Sequence, residues 1–218
     1  MSRRLSVLVC AAVLWSAAPA WAQAPAGGST PRFGVRAFGH FEWQTMAAKE
    51  TFDAVTGKST LTGLGGGVEV QRIWRGIFAR AAISRMSQSG QRIFVFDNTV
   101  FPLGVPLDIT MTPIEFAAGW RFSPIGSRGI VGYLGAGGMS LSYNESSPSD
   151  AAGEEVSEKV SGFLLFGGVE VPVWRFVTAG AEVGWRKAEV LNPDGAMGAF
   201  GENDFGGVTM RVMVSIRR

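Results

Sequence analysis

From Phe33 onward the chain alternates apolar and polar residues with a period of two. That period belongs to strands with one apolar and one polar face. It predicts eight strands. The first, Phe33–Gln44, sets Phe33, Val35, Ala37, Phe41 and Trp43 against Arg36, His40, Glu42 and Gln44. The second, about Leu61–Trp74, sets Leu64, Val68 and Val70 against Glu69 and Gln71. The third, Ile77–Met86, sets Ile77, Ala79, Ala81 and Ile83 against Arg80 and Ser84. The fourth, Ile109–Phe122, sets Ile114, Phe116, Ala118, Trp120 and Phe122 against Glu115 and Arg121. The fifth, Gly129–Tyr143, is so rich in glycine that its facing stays open. The sixth, Val160–Val173, sets Phe163, Leu165, Val169 and Val171 against Glu170. The seventh, Val177–Val190, sets Val177, Ala179, Ala181, Val183 and Trp185 against Glu182 and Arg186. The eighth, Asp204–Arg217, sets Val208, Met210, Val212, Val214 and Ile216 against Thr209, Arg211 and Ser215.

The connections alternate in length. Those after strands two, four and six are tight (Arg75-Gly76, Ser123–Arg128, Trp174-Arg175). Those after strands one, five and seven (Met46–Thr60, Asn144–Lys159, Leu191–Asn203) are long, and all three read as loops without a convincing amphipathic helix. After strand three comes Ser87–Asp108, where Arg92–Ile109 is unusually apolar for a loop. It reads as a strand hairpin rising above the barrel, with an opening for apolar ligands or a ninth and tenth strand as alternatives. There is also an internal repeat. GGVEV at Gly66–Val70 returns at Gly167–Val171, each copy followed by a Trp-Arg pair (Trp74-Arg75, Trp174-Arg175). Two four-stranded halves of one barrel fit that period better than a solenoid, whose repeats are shorter.

Charge decides which face meets which solvent. The polar faces carry five acids (Glu42, Glu69, Glu115, Glu170, Glu182) and five arginines (Arg36, Arg80, Arg121, Arg186, Arg211), whereas lysine is confined to loops and strand ends. Arg and carboxylate pair well where water is scarce, through a planar bidentate fork. The opposite faces are apolar. Apolar-out and polar-in is the arrangement of a barrel in lipid. Trp74, Trp120, Phe122 and Trp174 fall at the tight-turn ends, and Trp43, Tyr143 and Trp185 near the long-loop ends. Two such girdles suit the two interfaces of a bilayer. The expected fold class is therefore all-β: a transmembrane antiparallel up-and-down barrel of about eight strands.

At the N-terminus, Arg3-Arg4, an apolar run from Leu5 to Ala18 and Ala20-Trp21-Ala22 before Gln23 have the layout of a secretory signal peptide. The expected organisation is a leader over 1–22, a flexible tether over 23–31 and the barrel over 32–218. The chain has 20 Lys and Arg against 18 Asp and Glu. Loss of Arg3 and Arg4 with the leader makes the mature barrel formally neutral, so nothing points to nucleic acid. Its one cysteine, Cys10, lies in the leader. That excludes a disulfide scaffold or a cysteine-built metal site.

The leader, the GVEV strands, the Gly135–Tyr143 strand and the final alternating run together resemble the small eight-stranded outer-membrane β-barrel family of OmpA-type, OmpX and OmpW barrels. One departure is the ending. Alternation stops at Ile216 and Arg217-Arg218 follow, where such barrels usually end in an outward aromatic. The resemblance implies an outer-membrane location, the lipid bilayer and the barrel-assembly machinery as partners, and a monomer. His40 is the only histidine, so it reads as a polar lumen residue, and no cofactor, metal or catalytic set is expected. The ten charges above read as a lumen network. The leading function is a non-enzymatic structural or surface-interaction protein with a lumen plugged by ion pairs. The alternative is a narrow channel for small or apolar solutes.

Overall fold

The computed structural model describes residues 34–96, 99–126, 129–147, 156–191 and 195–217. The expected leader and tether, together with Phe33, lie outside the described residues. The strands are β1 (Gly34–Met46), β2 (Thr60–Gln71), β3 (Ile77–Phe96), β4 (Thr99–Arg121), β5 (Val131–Ser146), β6 (Val156–Trp174), β7 (Val177–Lys187) and β8 (Gly207–Arg217). Each pairs antiparallel with its neighbour in sequence, and β8 closes onto β1. Closure leaves no strand edge unpaired. β1, β2, β7 and β8 are 11 to 13 residues long. That is close to the roughly 9–11 residues a tilted strand needs to cross a bilayer.

The faces follow the alternation. Leu64, Ile83, Phe116, Leu165, Val183 and Val212 are all exposed on the outside. Arg36, Glu42, Glu69, Arg80, Glu115, Glu170, Glu182, Arg186 and Arg211 are buried inside. The outward charges Arg85, Lys159 and Lys187 lie toward the long-connection end. The structure also settles β5. Tyr133, Met139, Leu141 and Tyr143 point inward, and Leu134 points outward. Glycine serves the facing strands here: at Gly119 a Cβ would collide with the Phe78 ring, and at Gly168 with the Tyr133 ring. Those glycines let large aromatic side chains lie flat against the inner wall.

Several expectations need correction. The connection after β1 is no plain loop: it holds α1 (Lys49–Thr56), and the connection after β7 holds α2 (Gly195–Phe200). β1 continues through Met46, β2 stops at Gln71 rather than Trp74, and β5 starts at Val131 rather than Gly129. β7 stops at Lys187 rather than Val190, and β8 starts at Gly207 rather than Asp204. At β2 and β5 the chain leaves the ladder for the tight turns, and after β7 and before β8 it turns over the long-connection mouth, where Val190, Met197 and Phe205 join the apolar layer. The apolar segment Arg92–Ile109 is the hairpin extension. β3 and β4 stay paired from Ser87↔Thr110 out to Phe96↔Thr99, with a bulge between Gln91 and Ile93. No ninth strand forms among the described residues. Nor is the interior polar throughout. Toward the long-connection end it is filled by Met46, Leu61, Met86, Ile109, Met111, Leu141 and Leu164, with Phe52 of α1 and Phe205 above them.

Candidate functional site in the barrel lumen

Cross-strand register brings the charges into range before any side chain is placed. Arg36 lies opposite Glu69, Glu69 opposite Arg80, Glu42 opposite Arg211, and Glu182 opposite Arg211. Opposite charges on directly facing residues stabilise a sheet pair. Curvature then carries each side chain across the bore to partners on distant strands.

The ten predicted residues join one network made of two rings and a link. Near the tight turns, Arg36 reaches Glu69 at 3.0 Å and Glu170 at 2.6 Å. Arg121 reaches the same two carboxylates, at 3.2 and 2.6 Å. Two arginines and two glutamates thus alternate around the bore. The two glutamates are the equivalent members of the repeated GGVEV segments, on β2 and β6. Higher up, Arg186 binds Glu42 at 2.7 Å and also Glu115, while Arg211 binds Glu42 at 2.5 Å and Glu115 at 2.7 Å. This second ring has the same composition. The link is the pair Arg80–Glu182. Arg80 bonds Glu69 of the lower ring at 3.2 Å and Glu182 at 2.5 Å, and Glu182 accepts from Arg211 of the upper ring at 3.2 Å. Each ring is neutral and so is the link. Every guanidinium therefore has carboxylates on at least two sides, which offsets the large cost of removing charge from water.

Other side chains complete the network. The Tyr133 hydroxyl donates to Glu182 at 3.0 Å, Gln71 donates to Glu69 at 2.8 Å and Arg36 also donates to Ser215 at 3.3 Å. Gln44 accepts from Arg186 and donates to the carbonyls of Phe205 and Gly206, both at 3.2 Å, which ties the upper ring to the segment before β8. Arg80 sits among four rings, with centroids at 4.6 Å (Phe166), 5.2 Å (Phe38), 5.3 Å (Tyr133) and 5.5 Å (Phe78). A desolvated cation is favoured by aromatic faces. Period-two reading missed this cage because it credited aromatics to the outward faces and left β5 undecided. The inward parity of Phe38, Phe78 and Phe166 with Arg36, Arg80 and Glu170 was the available signal. His40 is buried in the same lumen, stacked on Phe38, with Nε2 3.5 Å from Glu42. Among the described residues, no group of three or more His, Cys, Asp or Glu is arranged to hold a metal.

Two mouths flank the network. At the long-connection end a cavity of about 540 Å³ is lined by Phe52, Ile93, Leu107, Tyr143, Met197 and Phe205 among others, with Glu145 and Glu158 on one wall. At the tight-turn end a cavity of about 480 Å³ is lined by Arg36, Arg72, Arg75 and Arg121 together with Gln71, Glu170 and Thr178.

With this geometry in view, solved structures match. The chain is similar to Neisserial surface protein A (NspA) at 13% identity and a TM-score of 0.52, covering 87% of this chain and 99% of that one. It is similar to OprG, an outer membrane protein from Pseudomonas aeruginosa, at 14% identity and a TM-score of 0.53, covering 85% and 95%. It is also similar to Ail, the attachment invasion locus protein of Yersinia pestis, at 8% identity and a TM-score of 0.52, covering 85% and 99%. The fold is that of the small outer-membrane β-barrels. No family model matches the chain, and no curated protein matches it in sequence.

Proposed function

We propose that the protein is a non-enzymatic barrel of the bacterial outer membrane whose lumen is closed by the Glu/Arg network and whose long connections form an interaction surface outside the cell. The observation that carries this reading is the inversion of the barrel wall: ten paired charges inside and apolar side chains outside. Apolar-out, polar-in strands suit hydrocarbon, and in water the outer wall would be an apolar patch far larger than soluble proteins expose. The signal peptide over 1–22, the assembly machinery as a partner and the monomeric state belong to the same proposal. An eight-stranded bore is just wide enough for side chains to fill. Here it is spanned at two levels by neutral rings and capped by an apolar layer, an arrangement that supports a plug over a pore. His40 lies inside this packing, away from either mouth's solvent, which supports a structural role for it.

The test is conductance. Purified wild-type protein in a planar bilayer should show no steady current. Glu115→Ala removes a carboxylate shared by Arg186 and Arg211 and should let ions leak through the upper ring. A steady wild-type current, with Glu115→Ala altering only ion selectivity, would replace the plug with the narrow-channel reading.

A further inference from the structure

The charges outside the lumen are sorted along the barrel axis. Apart from the five lumen glutamates, every Asp and Glu among the described residues falls on the long-connection side. The connections β2–β3, β4–β5 and β6–β7 contain Arg72, Arg75, Arg128 and Arg175, and no Asp, Glu or Lys. The repeated Trp-Arg pairs occupy two of these turns. In a closed eight-stranded barrel, the β2–β3 and β6–β7 turns are four strands apart in either direction. They therefore stand on opposite sides of the rim.

Both turns present an exposed Trp followed by an Arg that stacks on an aromatic ring. Trp74 and Trp174 are 60% and 77% exposed. Arg75 lies over the Trp74 ring at 5.2 Å, and Arg175 over the Phe176 ring at 5.1 Å. Exposed Trp at the end of an apolar wall settles at the headgroup level of a bilayer. A guanidinium next to it in sequence, stacked on that Trp (Arg75) or on the following Phe (Arg175), then lies among the phosphates, which it can grip bidentately. In the β2–β3 turn, Arg72 and Arg75 take φ of 57° and 47°. That region favours glycine or asparagine, yet both positions carry a long cation. Between the turns opens the cavity lined by Arg36, Arg72, Arg75 and Arg121; the carboxylate in its wall, Glu170, is already engaged by Arg36 and Arg121. The field at this end is positive.

We infer that the two Trp-Arg turns are a pair of phosphate contacts that clamp the tight-turn end, from opposite sides, to an anionic phospholipid leaflet. Arg75 and Arg175 make the contacts, and Arg72 and the basic mouth strengthen the field. The inference rests on the membrane reading above. Two diametric contacts would also hold the barrel axis against tilting, which a single contact cannot do.

The experiment uses the full-length mature protein in phosphatidylcholine vesicles containing phosphatidylglycerol, with the acyl chains of one lipid or the other brominated. Quenching of tryptophan fluorescence reports which lipid sits against the barrel. Wild type should be quenched more strongly by the brominated phosphatidylglycerol, and the preference should fade as salt is raised. Arg75→Gln with Arg175→Gln should weaken it by roughly five-fold per arginine, from the contribution of one cation near an anionic surface. Arg75→Lys with Arg175→Lys should fall between wild type and the Gln variant, because the charge stays and the bidentate fork is lost. Equal quenching by both lipids in wild type, or an undiminished preference in the Gln variant, overturns the inference. If the Gln variant does not insert, the wild-type preference and its salt dependence still decide. Loss of the preference on adding inorganic phosphate at constant ionic strength would show a site for the free anion and would also overturn the lipid assignment. A wild-type chain that inserts but shows no preference sinks the clamp alone. One that fails to insert, with no folded band on an unheated gel, sinks the membrane reading.

Discussion

Glu182 has three partners from three strands: Arg80 of β3, Arg211 of β8 and the hydroxyl of Tyr133 on β5. It is the residue through which the two rings communicate. Glu182→Gln keeps its shape and removes its charge, leaving Arg80 with one carboxylate partner in a buried site. Breaking a buried pair from one side typically costs about 3–5 kcal/mol. Urea unfolding of the vesicle-inserted protein should show a loss in that range. The exposed pair Lys187–Glu189, at 2.8 Å, is the control. Glu189→Gln should leave stability unchanged within error, because water already screens that pair. Similar losses for the two variants would mean that water fills the lumen. At this scale the sequence was informative: parity along each strand picked all ten network members. It did not reveal that Tyr133 and Gln44 belong with them as hydrogen-bond partners, because a glycine-rich strand has no facing pattern and an amide has no charge to count.

The elements that parity could not find are those stabilised from a distance. The residue before α1, Ala48, is its N-cap and offers no side-chain hydrogen bond. The helix's first amides are satisfied instead by Glu202, which accepts from the N–H of Glu50 at 3.0 Å and of Thr51 at 2.9 Å, and from the Thr51 hydroxyl at 2.6 Å. A carboxylate at a helix N-terminus is favoured both as acceptor and by the helix dipole. A capping partner about 150 positions away leaves no local signal. Glu202→Ala should raise amide hydrogen exchange at Glu50 and Thr51 and cost about 0.5–2 kcal/mol, with the barrel ladder unaffected. The β3–β4 arm is the converse case, predicted from its apolar alternation. Beyond Gln91↔Pro106 it leaves Phe94, Phe96, Phe101 and Leu103 exposed, with Phe94 and Phe96 stacked at 6.5 Å. Replacing Arg92–Val105 with an Asn-Gly turn should leave the barrel folded and resistant to detergent on an unheated gel, since those residues lie beyond the closed ladder. Loss of the folded band would show that the arm is part of the folding unit.

For the molecule as a whole, the wall has a sidedness that one substitution can test. Val183 is 55% exposed in the middle of β7. Val183→Arg should cost about 2–4 kcal/mol in lipid vesicles if it lies at the bilayer midplane. A change near zero would reverse the assignment of faces. Strand number, up-and-down order, wall inversion and the members of the charge network were all legible in the residues. Each depends on parity within a strand or on the alternation of short and long connections, and both are local. The sorting of the ten charges into two neutral rings of four and a linking pair, the aromatic cage around Arg80 and the apolar layer beneath α1 were not. Those depend on which side chains meet across the bore. That in turn is set by the stagger and curvature of the closed sheet, where Arg36 reaches Glu170 over 134 positions of sequence. Period two determines which way a side chain faces, and only closure determines what it meets.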